Sequence, residues 1–307
     1  MARVVNTLIQ QHGDVASKPS QIFGQGEIIL RIGNGGAGGV GLVEALAKDY
    51  LTFRGNPGSI EWVCNHSRNT QLALLSGFVD IALTYEREQE EIAVSEKWAE
   101  SAGCIFHDHF CLVGPKHDPA NVAQAKSVEE AFDKIAASHS LFYSRSDGSA
   151  TMSKERDIWR RCHRTPWNEK SKWYIRTKDN PANAVRNAAA SGAYLLNDRS
   201  TLLKQVSLGA VTNVTVFFEP TDPFHSLMNS CYALHTPLST SSSKEIAKFI
   251  EYLKSDRGQD LIASFGAGEV GVPLFAPVKR GFAATRLTGG TVINGRWVSR
   301  TQRVVKL

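Results

Sequence analysis

The sequence predicts an α/β fold in which a parallel sheet carries helices on both faces. Three observations lead there. Short apolar runs alternate with segments of helical periodicity from residue 27 onward. Gly- and Ser-rich turns separate the two kinds of segment. The chain has 307 residues, 42% of them hydrophobic, enough to bury the core of one large domain or two ordinary ones.

The elements follow in order. Residues 27–32 read as a buried strand, 33–39 as a glycine-rich turn, and 40–52 as a helix with Leu42, Val43, Leu46 and Tyr50 at helical spacing. A second strand over 60–63 meets a Cys-Asn-His-Ser-Arg-Asn turn and a helix that runs through residue 75. Ser76-Gly77 ends that helix, and 79–84 is the third strand. A strand within 104–113 stops at Gly114-Pro115, the polar stretch 116–127 reads as a loop, and 128–137 as a helix. Strand 141–144 leads into helix 152–162. Helix 181–192 closes on Gly192, a residue suited to a left-handed C-cap, and strand 193–196 follows. Strands over 214–218 and 230–235, then helices over 244–254 and 257–265, complete the body. Beyond Pro277 the pattern changes, and 291–298 reads as a β-hairpin around Asn294-Gly295.

Charge and composition exclude several classes. The net charge is +5, but residues 276–307 hold seven Lys/Arg and no acid, so residues 1–275 carry −2. A body without a basic face argues against nucleic-acid binding. No apolar run approaches the roughly 20 residues of a membrane helix, so no membrane insertion is expected. Five scattered cysteines without a Cys-x-x-Cys pair suit free thiols in a reducing compartment. The N-terminus lacks the apolar core of a signal peptide, so the expected location is cytoplasmic, or secreted or periplasmic where a leader has been removed. The basic C-terminal arm offers a surface for a homo-oligomer.

The densest signal lies at 142–151, Phe-Tyr-Ser-Arg-Ser-Asp-Gly-Ser-Ala-Thr. An apolar strand end, a Ser/Gly turn and a helix start leave amide donors unpaired beside hydroxyls and a guanidinium, all suited to a small anion. The turns at 33–39 and 64–69 repeat the strand-to-helix arrangement. Gly33–Gly39 lacks the Gly-Lys-Ser/Thr of a phosphate loop and the acidic residue of a dinucleotide site, so no cofactor is expected. His107 and His109 share one face of a strand, without a third ligand nearby to make a metal site, and hydrogen bonding accounts for them. Trp159, Trp167 and Trp173 are expected to pack a core.

The chain resembles the tungstate-binding proteins of bacterial ABC importers, within the type II periplasmic binding proteins. The likeness covers roughly 27–277. It rests on Gly41-Leu42-Val43-Glu44-Ala45-Leu46, Ser76-Gly77-Phe78-Val79-Asp80-Ile81, Phe110-Cys111-Leu112-Val113-Gly114-Pro115-Lys116 and Tyr143–Thr151. Gly192-Ala193-Tyr194-Leu195-Leu196-Asn197-Asp198-Arg199-Ser200-Thr201 and Gly271-Val272-Pro273-Leu274-Phe275 complete it. The resemblance implies two α/β lobes, each a mixed, mostly parallel sheet flanked by helices, with a ligand cleft between them and an added C-terminal hairpin arm. Lobe 1 is expected from 27–113 plus 230–277 and lobe 2 from 114–229, with an extension at 1–26, an arm at 278–307 and crossovers near 113–116 and 228–235.

Carried over, the resemblance implies that Ser144, Arg145, Ser149 and Thr151 hold an oxyanion at the third turn. Ser67 and Arg68 stand where the family has Gly-Thr-Gly. At the first turn Asn34, Gly35 and Gly36 replace hydroxyl residues, which leaves backbone donors and room for a larger ligand. Tyr85, Glu86, Asp198 and Arg199 are expected around the cleft, as ion pairs or as ligand contacts. Two functions follow. One is non-catalytic binding of a small anion, an oxyanion such as tungstate or molybdate or a small organic acid, by hinge closure. The alternative is a cofactor-free enzyme doing acid/base chemistry on an anionic organic substrate with His66, His107, Tyr85 and Glu86.

Overall fold

A computed structural model describes residues 7–55, 57–237, 243–283 and 285, and the backbone of 290–293 and 296–299; the side chain of Ser243 is outside this set. Strands β1 (Gln21–Gln25) and β2 (Ile28–Asn34), helices α1 (Gly36–Gly39) and α2 (Leu42–Arg54), β3 (Gly58–Cys64), α3 (Ser67–Leu75), β4 (Ile81–Thr84) and α4 (Arg87–Ser95) lead into the 16-residue strand β5 (Glu100–Pro115). Then come α5 (Val128–Ala137), β6 (Phe142–Ser144), α6 (Ala150–Arg161), β7 (Tyr174–Arg176), α7 (Pro181–Ser191), β8 (Leu195–Asp198), α8 (Arg199–Ser207) and β9 (Val214–Phe218). The chain returns through β10 (Met228–His235), α9 (Ser243–Lys254), α10 (Asp256–Ser264), α11 (Ala267–Val270) and β11 (Ala276–Pro277). It ends in the antiparallel pair β12 (Gly290–Ile293) and β13 (Arg296–Ser299).

Two lobes share one mixed sheet system. In the first, the order is β1-β3-β2-β4-β10-β5-β11, with β2 parallel to both β3 and β4. Parallel pairing is otherwise confined to β6–β7 and a Phe142–Tyr194 bridge in the second lobe; β5 and β10 run antiparallel to their neighbours. The mixed sheet thus contains more antiparallel pairing than a purely alternating βα pattern predicts, because the long strands that join the lobes run against the others. The first half of β5 pairs with β10 and the second half with β8 and β9, so the chain changes lobes between His109 and Phe110. That is earlier than the expected 113–116. Gly114-Pro115 ends a strand that has already crossed, since 16 residues at roughly 3.3 Å each span both lobes. The return crossing lies between β9 and β10, ahead of the expected 228–235, which is β10 itself.

Each lobe buries apolar side chains on both sheet faces. Leu30, Ile32 and Ile60 pack against Leu42, Val43, Leu46 and Tyr50 of α2 and Phe249 of α9, while Leu72, Ala73 and Val79 cover the opposite face with Ile9. In the second lobe Trp159 is fully buried among Phe132, Phe142, Trp173 and Tyr174, as expected of that tryptophan cluster, with Trp167 packed at its edge. Local chemistry sets the helix ends. Ser127 accepts from the Glu130 amide at the start of α5, Asn180 accepts from the Asn183 amide with Pro181 in the first turn of α7, and Gly192 stops α7 at φ +66°.

Segments 12–16 and 283–285 are tied to this frame. Asn65 exchanges two hydrogen bonds of 2.9 Å with the backbone of Ala16, and Asn69 donates to the carbonyls of His12 and Asp14. At the other end the Ala283 amide donates to His109 Nε2 (2.6 Å) and the Thr285 amide to Glu219 Oε2 (2.8 Å). Strand β13 lies beside β9 of the same chain, so the described part of the arm packs on its own body. The turn Asn294-Gly295 and the basic residues Arg286, Arg300, Arg303 and Lys306 lie outside the described residues.

Candidate functional site

The turn after β6 is built around one guanidinium. Arg145 is 2% exposed; its Nε and Nη2 donate to Asp147 Oδ2 at 2.8 and 2.6 Å. Ser146, at φ +52°, folds the chain back so that Asp147 reaches its neighbour. The other Asp147 oxygen accepts from the Ser149 amide (2.9 Å) and hydroxyl (2.5 Å). Ser149 also caps α6 by accepting from the Met152 amide, which leaves the Ala150 and Thr151 amides ahead of the first bonded turn. Below, the Tyr174 hydroxyl donates to Glu155 Oε1 (2.6 Å) and lies 3.0 Å from Ser144 Oγ, which fixes the floor of the turn.

The remaining nitrogen, Arg145 Nη1, is buried and makes no hydrogen bond among the described residues; its nearest carboxylate oxygen is Asp198 Oδ2 at 3.7 Å. Asp198 Oδ1 accepts from Thr151 Oγ1 (3.1 Å). Asp108, beside it on β5, accepts from the Ser200 hydroxyl (2.6 Å) and from the Ser200 amide at the start of α8.

One cavity of about 810 Å³ between the lobes is lined together by Gly35, Gly36, Ser67, Tyr85, Arg145 and Thr151. The N-terminal ends of α1, α3, α6, α7 and α8 all open onto it, through Gly36, Ser67, Ala150, Pro181 and Thr201. In α3 the first amide bonded within the helix is that of Thr70, so the Ser67–Asn69 amides precede it. Helix starts favour negative charge.

The carboxylates respond to these surroundings. Burial alone would raise the Asp147 carboxyl, yet Arg145, His66 and the two Ser149 donors hold it below its ordinary value. Burial and the neighbouring Asp198 charge push Asp108 up to about 7. Burial also raises Asp198, against Arg145 and Thr151. The His66 imidazole, 3.8 Å from Asp147, is lowered by burial despite that carboxylate.

Eight of the thirteen residues expected at the site line this cavity: Gly35, Gly36, Ser67, Tyr85, Arg145, Ser149, Thr151 and Asp198. Five serve the frame behind it. Asn34 donates to the Leu83 carbonyl and accepts from the Gly38 amide, which pins the first turn. Ser144 lies beneath its turn. Arg199 donates to the Pro273 and Leu274 carbonyls at 2.8 Å and forms no pair with Asp198, because a strand residue and the helix residue after it point apart. Arg68 Nε and Glu86 Oε2 pair at 2.8 Å, and Arg68 reaches Ser153 across the lobe boundary. His107 bonds Ser230 Oγ (2.7 Å) and does not reach the wall. No group of three or more metal-ligating side chains occurs among the described residues.

Sequence reasoning missed several wall residues. Asp108 does, as foreseen, point away from the face that His107 and His109 share, but away here means into the cleft. Asp147 reads as an ordinary turn residue. His12, Gly13, Asp14 and Ala16 reach the cavity from an extension without periodicity, and their one sequence signal is Asn65 and Asn69, two amides able to hold a passing backbone.

Comparison with known proteins follows the same outline. A family model described as PBP superfamily domain matches residues 37–257. The chain is 25% identical over 210 residues to a putative ABC transporter anion-binding protein of Haloferax volcanii, covering 66% of this chain and 58% of that protein. The chain therefore spans under two thirds of that relative's length. It is 27% identical over 205 residues to the tungstate-binding protein TupA of Peptoclostridium acidaminophilum, covering 66% and 69%. Among solved structures, a periplasmic putative metal binding protein aligns at TM-score 0.77 and 27% identity over 87% of this chain and all of that one. The tungstate binding protein TupA from Desulfovibrio alaskensis G20 aligns at TM-score 0.68 and 25% identity over 82% and 99%.

Proposed function

The chain belongs to the PBP superfamily domain family, and from that premise we propose that it is a non-catalytic binding protein for a small anion, held in the cleft between its lobes. The observation that carries the reading is Arg145 Nη1, a buried donor without a hydrogen bond beside a cavity onto which helix N-termini open. The names of the relatives, anion-binding and tungstate-binding, agree with it. The binding set proposed is Gly35, Gly36, Ser67, Tyr85, Arg145, Ser149 and Thr151, with Asp198 as the neighbour of Arg145. The bodies proposed to close are 27–113 with 230–277, and 114–229, adjusted by the few residues that separate His109–Phe110 from the expected boundary.

A relative named for an ABC transporter and a solved structure named as periplasmic support an extracytoplasmic site of action with an importer as partner; neither supports the cytoplasmic location read from the N-terminus. Nor does the site favour catalysis. Of the four residues of that alternative, His66 and Tyr85 line the cavity, but Arg68 holds the Glu86 carboxylate and His107 does not reach the wall.

Thermal unfolding with tungstate, molybdate and small organic anions tests the reading. A ligand at about 100 times its Kd stabilises by about 2.7 kcal/mol. Arg145→Ala removes that shift. No shift with any anion refutes the proposal.

A further inference from the structure

We propose that the ligand is an organic anion that also carries a hydrogen-bond donor, an amino or hydroxy acid whose charged head meets Arg145 and whose donor meets the carboxylates of Asp108 and Asp198. This rests on the anion-binding reading above and narrows it.

Charge is the first argument. Five aspartates line the cavity against Arg145, Lys178 and Lys204, and Lys204 is already paired with Glu269 outside it. Arg145 is itself half engaged, since Asp147 takes Nε and Nη2. A bare dianion would enter a wall with more carboxylates than cations, and like charges at short range repel strongly where water is scarce. A molecule that brings its own donor or cation meets the acceptors it needs.

Placement is the second. Asp108 lies on β5 and Asp198 on the adjacent β8, where the register pairs Phe110 with Asp198, so the two carboxylates stand together where the chain passes between lobes. Thr151 and the Arg145 guanidinium approach Asp198, and Ser200 approaches Asp108. A carboxylate offers about four acceptor positions; Asp108 accepts from the Ser200 hydroxyl and from the Ser200 and His109 amides, and Asp198 from Thr151, so each retains at least one. Burial raises both carboxyls, joined at Asp108 by the charge of Asp198 and at Asp198 by that of Asp147, the state that an incoming ammonium or hydroxyl relieves.

Room is the third. The cavity of about 810 Å³ falls in the range of roughly 300–1,000 Å³ typical of sites for organic molecules. The first turn adds space, for a Cβ placed on Gly36 or Gly39 would meet no atom within 4 Å.

The test is calorimetric titration of the full chain with succinate, malate and aspartate, which differ only in hydrogen, hydroxyl or ammonium on one carbon, and with tungstate. We expect malate or aspartate to bind at least about tenfold tighter than succinate, the effect of one hydrogen bond to a charged group. Asp198→Asn should bring that ratio to within about twofold, and Asp108→Asn repeats the measurement on the other carboxylate should the first variant misfold. Succinate binding as tightly as both, or tungstate binding alone, overturns this inference and leaves the anion site standing. No binding by any of the four, with wild type and Arg145→Ala indistinguishable, overturns both.

Discussion

Glu155→Gln separates the cost of a buried acid from the hydrogen bond it makes. Glu155 is 1% exposed on α6, and Tyr174 donates to its Oε1 at 2.6 Å beneath the turn that carries Arg145. Burial pushes the carboxyl from 4.5 up to about 7, despite the bonds from Tyr174 and Ser144. An acid raised in this way binds its proton more tightly in the folded state than in the unfolded one. The stability it contributes is full below pH 4.5 and is lost as pH rises through about 7. At about 1.4 kcal/mol per pH unit, that rise amounts to roughly 3 to 4 kcal/mol. Glutamine keeps an oxygen facing Tyr174 and does not titrate. Urea unfolding of both proteins between pH 4.5 and 8.5 should therefore show a gap in favour of the variant that widens by about 3 kcal/mol across that range. Asp108, also raised to about 7, titrates in both proteins and cancels from the difference. Parallel pH profiles would refute the reasoning.

Three further outcomes follow from packing and pairing. Gly38→Ala places a Cβ 2.3 Å from the Trp62 indole and should cost about 1–3 kcal/mol in urea unfolding, through overpacking under the first turn. Trp159→Ala empties the centre of the second-lobe aromatic cluster and should cost about 3–5 kcal/mol, with loss of near-ultraviolet circular dichroism. Arg68→Ala leaves the buried Glu86 carboxylate unpaired and should cost about 1–3 kcal/mol, the lower end reflecting an arginine 30% exposed. Adding Glu86→Gln should restore part of that stability, and a double variant no better than the single one would contradict the pairing.

Periodic elements were the legible part of this fold. Residues 128–137 form α5 as read, because apolar spacing, a serine cap and early glutamates agree. Besides the four-residue helices α1 and α11, two longer helices were not legible. Arg87–Ser95 opens with five polar residues, Arg-Glu-Gln-Glu-Glu, and shows little apolar face, and Arg199–Ser207 opens with Arg-Ser-Thr, which reads as a polar turn. Those three residues are nevertheless buried, since they face the other lobe and its last loops rather than water. Local sequence carries no sign of that burial.

The site divides along the same line. A polar residue at a strand end points into the cleft or back into the turn, and composition does not say which. Thr151 and Ser67 point in; Ser144 and Asn34 point back. Asp108 lay in a motif already noticed, yet only pairing with β8 and β10 shows that its side of the strand is the cleft side. The extension over 7–19 has no regular structure of its own, so only tertiary hydrogen bonds reveal it as a wall.

The amides of Ala283 and Thr285 hydrogen-bond to one side chain from each of the two crossings, His109 on the outward path and Glu219 at the start of the return. The lobe closure proposed above would strain or slide that stitch. Under the proposed closure, a fluorophore at Thr285 would read cleft occupancy from a residue that is not part of the cavity wall.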